Sequence, residues 1–198
     1  NGKYYLTGGQ NASQLDLLSS TDGINWSVSS VITGNNNQYG AFSIGWNGSY
    51  WLVGGYGTLL MNTNYNPGGS WTPITIPVPG VVTGIAWNKI MWVGVVQSYA
   101  SSSIGYIIYS YDGINWTQAT TPAGFAAYGF GSVSWNTNYW VAGGTANSML
   151  YSFDGKTWNS MPSGTPILES CSYIIPSIQP LVGYLQAAPE YSCLLYTS

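Results

Sequence analysis

Few residues in this chain are equipped for chemistry. Of 198 residues, six are Asp or Glu, three are Lys or Arg, and none is His. The acids are Asp16, Asp22, Asp112, Asp154, Glu169 and Glu190, and the cations are Lys3, Lys89 and Lys156, so there is no Arg. Three acids share one setting, in SSTDGINW at 19–26, YSYDGINW at 109–116 and YSFDGKTW at 151–158. A carboxylate can act as general acid, base or nucleophile, ligate a hard cation, or accept backbone N–H groups. Cleaving a glycosidic bond takes two carboxylates facing one bond, and no convincing pair is visible. Without His, neither a Ser–His nor a Cys–His nucleophile can be assembled, and a His or clustered-Cys metal site is equally absent. No glycine-rich stretch matches a phosphate loop or a dinucleotide fingerprint. No catalytic residue, metal site or cofactor is therefore assigned.

The third option fits the spacing. An Asp side chain can accept from backbone N–H groups just ahead of it and close a turn. The following Gly takes a backbone conformation that a β-carbon opposes, and the Trp buries a large area while its indole N–H finds a partner. The expected role of Asp22, Asp112 and Asp154 is to fix turns, in preference to calcium binding or catalysis.

What must position these motifs is a repeat. The motif Trp residues are Trp26, Trp116 and Trp158, and Trp71 falls midway between the first two. A second landmark alternates with them: WNGSYWLVGG at 46–55, WNKIMWVGVV at 87–96 and WNTNYWVAGG at 135–144. The opening NGKYYLTGG is the same unit without its leading Trp, so the chain is expected to enter mid-repeat, as a fragment. Each unit reads as four short strands. Over Val81–Thr117 these are GVVTGIAW, KIMWVGVV, IGYIIYSY and INWTQ, with turns at Asn88-Lys89 and Asp112-Gly113. Asn-Gly and Asp-Gly pairs signal type I′ hairpins, where both central residues take positive φ. Near-continuous apolar inner strands suit burial on both faces. Four-stranded antiparallel units recurring every 40 to 50 residues predict an all-β fold, a partial β-propeller of about four blades.

The motif S-x-D-G-x-N/T-W resembles the Asp-box (BNR) repeat of sialidase-like β-propellers. The residues that carry the resemblance are Ser20, Asp22, Gly23 and Trp26; Ser110, Asp112, Gly113 and Trp116; and Ser152, Asp154, Gly155 and Trp158. A remaining copy, NYNPGGSW at 64–71, keeps Trp71 but has Asn64 and Asn66 for Ser and Asp. These copies are one residue shorter than the family pattern except for the last, and the resemblance covers residues 1 to about 160. It implies hairpins on the face away from the family's catalytic mouth. It also implies, for a sialidase, an arginine triad, a Tyr nucleophile with a carboxylate partner and an acid/base Asp. With no Arg, the carboxylate clamp cannot be built from this chain.

Binding is the remaining expectation. Charged residues are 5% of the chain and aromatics 16%, so the surface is covered by amides, hydroxyls, Gly and Tyr, as in secreted, virion or cell-surface β proteins. Three lysines cannot form a phosphate-backbone or polybasic lipid site, which argues against nucleic acid. No apolar run approaches the roughly 20 residues that span a bilayer. Propellers bind through loops on one face, here at 8–14, 33–40, 54–58, 97–103, 122–129 and 143–148. Amide and hydroxyl groups beside aromatic rings suit a neutral glycan. The candidates are Gln10, Asn11, Asn36, Gln38, Tyr39, Gln97, Tyr99, Tyr128 and Asn147. Residues 1–162 are expected to form the blades, and 163–198, with Cys171 and Cys193, an irregular tail or partial blade whose ending SCLLYTS resembles an adaptor-derived sequence. The leading reading is a non-catalytic binding or structural module for a glycan or protein partner, working beside the remaining blades of a parent chain. The alternative is a piece of a sialidase-like glycoside hydrolase with its catalytic residues elsewhere.

Overall fold

A computed structural model describes residues 2–11, 14–32, 40–100, 104–123, 129–144 and 149–162. The segment from 163 onward, Asn36, Gln38, Tyr39, Tyr128 and Asn147 lie outside the described residues.

The described chain is all β and forms four antiparallel sheets in sequence order. The first holds β1 (Tyr5–Asn11), β2 (Gln14–Ser20) and β3 (Ser27–Ile32). The second holds β4 (Ser43–Trp46), β5 (Trp51–Gly54), β6 (Thr58–Asn62) and β7 (Thr72–Thr75). The third holds β8 (Val81–Trp87), β9 (Trp92–Gln97), β10 (Gly105–Ser110) and β11 (Thr117–Gln118). The fourth holds β12 (Phe130–Trp135), β13 (Trp140–Gly144), β14 (Met149–Ser152) and β15 (Asn159–Ser160). Every sheet pairs sequential neighbours, and β4, β8 and β12 of successive sheets pack against one another. That is a partial β-propeller with its blades stacked face to face. Among the described residues no helix is long and apolar enough to cross a membrane.

The landmark Trp residues explain the stacking. In each four-stranded blade the strand-one Trp sits directly opposite the strand-two Trp, as Trp46↔Trp51, Trp87↔Trp92 and Trp135↔Trp140. The rings lie 4.9, 5.1 and 5.1 Å apart in tilted contact. Such cross-strand pairs fix register, and the second member of each is buried between blades. Three apolar clusters fill the junctions. Leu17, Val53 and Leu60 join blades one and two. Leu52, Met61, Val82, Trp92 and Ile108 join two and three. Val93, Ile107, Val133, Trp140 and Leu150 join three and four. In the first blade Tyr5 stands at the Trp position and is 58% exposed, against 4% or less for Trp51, Trp92 and Trp140.

Two local expectations change. The fourth strand of the third blade is Thr117–Gln118 rather than INWTQ, because the N–H groups of Ile114 and Asn115 are taken by Asp112 and cannot enter the ladder. The Asn-led hairpins also have only one positive φ, at Gly48 (104°), Lys89 (77°) and Thr137 (82°), and none at the Asn. The Asn caps the turn instead. Asn47 Oδ1 accepts from Ser49 and Tyr50 N–H at 2.9 Å each. Asn88 does so from Ile90 and Met91 at 2.9 and 2.8 Å, and Asn136 from Asn138 and Tyr139 at 3.0 and 2.9 Å.

Candidate functional site

Antiparallel alternation sends the two kinds of turn to one end of the blades. The Asn-capped hairpins and the Ser-x-Asp-Gly hairpins share it, and the loops joining second to third strands occupy the other. Each end has its own chemistry.

At the hairpin end the carboxylates are engaged by the turns they close. Asp112 Oδ1 accepts from the N–H of Ile114 and Asn115 at 2.8 and 2.7 Å, and from the Ser110 hydroxyl at 3.0 Å. Its Oδ2 accepts from Asn115 Nδ2 at 2.7 Å. Ser110 Oγ accepts from Gly113 N–H at 2.9 Å, and Trp116 Nε1 donates to the Gly113 carbonyl at 2.9 Å. Asp22 repeats this with Ile24, Asn25, Ser20 and Trp26. Asp154 repeats the Oδ1 bonds with Lys156, Thr157 and Ser152, and Trp158 donates to the Gly155 carbonyl, but Thr157 stands where the other two hairpins have the Asn amide that donates to Oδ2. Gly23, Gly113 and Gly155 all have positive φ. The donors hold all three acids ionised. For Asp22 the largest influence is the Asn25 side chain, and for Asp112 the Asn115 N–H; both carboxyls sit far below the usual range. Burial opposes the charge of Asp154, but the Thr157 and Lys156 N–H groups, Ser152 and the Lys156 charge outweigh it and keep its pKa lowered. A carboxylate so committed is a poor general acid or base near neutrality.

The second blade differs. Strand register sets Asn62, not Asn64, opposite Trp51, the place that Ser110 takes opposite Trp92 and Ser152 opposite Trp140. Asn62 Nδ2 donates to the carbonyls of Pro67 and Gly68, and Asn66 Oδ1 accepts from Gly68 N–H at 3.2 Å. The longer amide-closed loop leaves the Trp71 indole N–H buried without a partner.

The hairpins also latch adjacent blades. The residue before each strand-two Trp is Tyr50, Met91 or Tyr139. Tyr50 reaches the third blade, where its hydroxyl accepts from Trp92 Nε1 at 2.9 Å. A Cβ on Gly113 would lie 2.7 Å from that hydroxyl, so only Gly leaves room for the latch. Met91 reaches under Gly155 in the same way.

At the opposite end three rings from two blades form a ridge. Phe42 meets Tyr56 edge-on at 5.4 Å, and Tyr56 stacks on Tyr99 at 5.8 Å with 9° between planes. Phe42 and Tyr99 are 42% and 45% exposed. The ridge is braced from below: Gly57 N–H donates to the Gly80 carbonyl at 2.7 Å, and Val82 N–H to the Gly55 carbonyl at 2.9 Å. Gly57, at φ 65°, lets the Tyr99 hydroxyl lie over the turn, 2.9 Å from where a Cβ would sit. Partial burial raises the Tyr99 phenol pKa, with a smaller push from Tyr56, so it is neutral at physiological pH.

Of the sequence candidates, Gln97 closes β9 and Tyr99 follows it at this ridge. Gln10 and Asn11 end β1 in the first blade, and their side chains lie outside the described residues, as do Asn36, Gln38, Tyr39, Tyr128 and Asn147 altogether. Sequence reasoning did not single out Phe42 and Tyr56. Tyr56 sits within GGYGT, where a lone ring among glycines was the available signal. Among the described residues no group of three or more His, Cys, Asp or Glu gathers to hold a metal.

No protein-family model matches the chain, and no curated protein matches it. Among solved structures it is similar to an ancestral GH74 enzyme, a β-propeller glycoside hydrolase, with TM-score 0.59 and 15% identity over 80% of this chain and 24% of that one. It also aligns with the computationally designed Ika8 protein (TM-score 0.47, 10% identity, 77% of this chain and 44% of that one). A third alignment is with YCF48 bound to D1 peptide (TM-score 0.27, 14% identity, 79% and 84%). The first likeness shows a propeller fold, and the chain spans about a quarter of that enzyme's length.

Proposed function

We propose that this chain is a non-catalytic, carbohydrate-binding section of an Asp-box β-propeller, acting on the outer surface of a cell or particle. The observation that carries the reading is the ridge of Phe42, Tyr56 and Tyr99. Exposed, braced rings with a neutral amide, Gln97, at the same rim suit the C–H faces and hydroxyls of an uncharged sugar. The committed carboxylates of Asp22, Asp112 and Asp154 support a clasp role for the hairpins. Residues 1–162 act as the blade unit beside further blades of a longer chain.

Glycan-array screening followed by calorimetry tests this. Neutral oligosaccharides are expected to bind, Tyr99→Ala and Tyr56→Ala to abolish binding, and Tyr99→Phe to retain most of it. Affinity should be flat from pH 5 to 8, since the ridge and Gln97 present no carboxylate, imidazole or amine. A folded protein that binds no glycan, or binds equally after Tyr99→Ala, refutes the reading. Hydrolysis of a bound glycan by the chain alone would favour a glycoside hydrolase section instead.

A further inference from the structure

The junction between the first and second blades, at the hairpin end, is built unlike the other two. Strand register aligns Ser19 with Met61, Tyr109 and Tyr151, since these face Leu6, Leu52, Val93 and Val141 respectively. Where the other blades carry a large side chain, the first has a hydroxymethyl group. The pairing of β2 with β3 also slips between Leu17 and Leu18, which leaves Ser29 as an extra residue in a bulge. Bulges re-aim side chains and concentrate near binding sites. The second blade contributes its lengthened loop, with Gly68 beside the Ser29 carbonyl.

The result is a cleft of about 330 Å³, lined by Tyr4, Ser19, Thr21, Ser27, Ser29 and Asn66 among others. None of its lining residues carries a charge. The Ser29 hydroxyl itself is closed off from the cleft. The charges beside the cleft are engaged within the protein, Asp22 by Ser20 and Asn25 and Lys3 over the Tyr4 ring, which favours an uncharged ligand, and a purely apolar one would strand the hydroxyls. The volume lies at the low end of the roughly 300–1,000 Å³ seen for small-molecule sites.

We propose that this cleft is a second binding site, for a single neutral sugar ring or similar polyol. Tyr4 supplies a ring and the Ser19, Thr21, Ser27 and Asn66 side chains supply the hydrogen-bonding shell. The site lies at the opposite end of the blades from the aromatic ridge and shares no residue with it, so either can fail without the other.

Saturation-transfer NMR on the intact chain tests the proposal, with methyl α-glucoside, methyl β-galactoside and N-acetylglucosamine as probes. At least one probe should receive saturation. Ser19→Met, which installs the second blade's residue, should fill the cleft, keep the fold and abolish that signal. Ser27→Ala, which removes an exposed lining hydroxyl, should weaken the signal and leave thermal stability unchanged, and Tyr99→Ala should leave the signal intact. Absence of transfer to all three probes overturns the proposal, since the cleft then holds water alone. A signal that survives Ser19→Met, or that vanishes with Tyr99→Ala, overturns it as well, because the sugar then sits elsewhere. Should Ser19→Met fail to fold, Ser27→Ala decides: an undiminished signal overturns the proposal.

Discussion

Replacing Met91 by Tyr should stabilise the protein, and the repeat itself supplies the reason. Tyr50 and Met91 occupy the same place in successive blades, each reaching under the hairpin glycine of the next. The Tyr50 hydroxyl accepts the Trp92 indole N–H at 2.9 Å. Met91 offers no such acceptor, and the Trp140 indole N–H is buried without a partner. Trp140 is fully buried, so water cannot satisfy it from bulk. A buried unsatisfied donor costs about 1–3 kcal/mol, and a neutral hydrogen bond contributes about 0.5–1.5 kcal/mol net. The slot already accepts a phenol in the preceding junction, so steric loss is small. A gain of about 1 kcal/mol follows, which for a chain of this size is a rise of roughly 2–4 °C in Tm. Thermal and urea unfolding of M91Y against the parent measures it. The reverse change, Tyr50→Phe, should lose about 1 kcal/mol by orphaning Trp92. A double cycle with Trp140→Phe separates the hydrogen bond from packing, because the gain from Met91→Tyr should vanish when the indole N–H is gone. A stabilisation that persists in the Trp140→Phe background, or no stabilisation at all, refutes the hydrogen-bond argument.

Two further outcomes follow from the turns. Thr137 holds φ 82° and Lys89 φ 77°, where the second blade has Gly48. A left-handed backbone costs an L-residue about 1–2 kcal/mol, and Gly returns part of that through a freer unfolded chain. Thr137→Gly is therefore expected to stabilise by about 0.5–1 kcal/mol, and more than Lys89→Gly because Thr is β-branched; chemical denaturation checks both. Acid should unfold the blades in a defined window. Asp22, Asp112 and Asp154 have folded pKa values depressed below the unfolded Asp value of about 3.9. Their contribution is complete above that value and is lost as pH falls through it toward the folded pKa. Tm measured from pH 6 to pH 2 should be flat and then fall, and Asp112→Asn should make the fall shallower; an unchanged slope would show that the hairpin carboxylates are not its source.

Much of the fold was legible because each blade solves the same problem with the same residues. The Trp pairs recur at fixed spacing, their register follows from a hairpin of four residues, and the Asn and Asp caps announce the turns. The turn geometry was less legible. An Asn-Gly pair suggests positive φ at both residues, yet the Asn side chain accepts two N–H groups and keeps its own φ negative, which frees the next position to be Lys or Thr. The aromatic ridge was half legible. Tyr99 stood out in a polar loop, but its partners Phe42 and Tyr56 come from a different blade, and no local pattern says which rings the blade twist will bring together. The substituted hairpin of the second blade misled by one turn of numbering, because Asn64 matches the motif by eye and only the pairing of Asn62 with Trp51 shows where the strand ends.

The three junctions act as controls for one another. The latch position is Tyr4, Tyr50 or Met91 at matching strand register, so the junctions can be compared residue by residue. Between blades two and three the latch is hydrogen-bonded and the space beyond it is filled by Met61, Ile74 and Trp92. Between three and four it is apolar, filled by Met91, Val93 and Trp140, with one indole unsatisfied. Between one and two, Ser19 and the Ser29 bulge leave the space open and lined with hydroxyls. What stands in the opening is mostly uncharged hydrogen-bonding groups around a Tyr, with one exposed apolar side chain, Val28. Met91→Tyr and Ser19→Met therefore ask one question from two sides. The first should restore a contact the repeat already uses and cost no binding. The second should restore packing and remove a binding site. If both variants gain stability and only the second loses a ligand, the departure at the first junction is functional rather than a worn copy of the repeat.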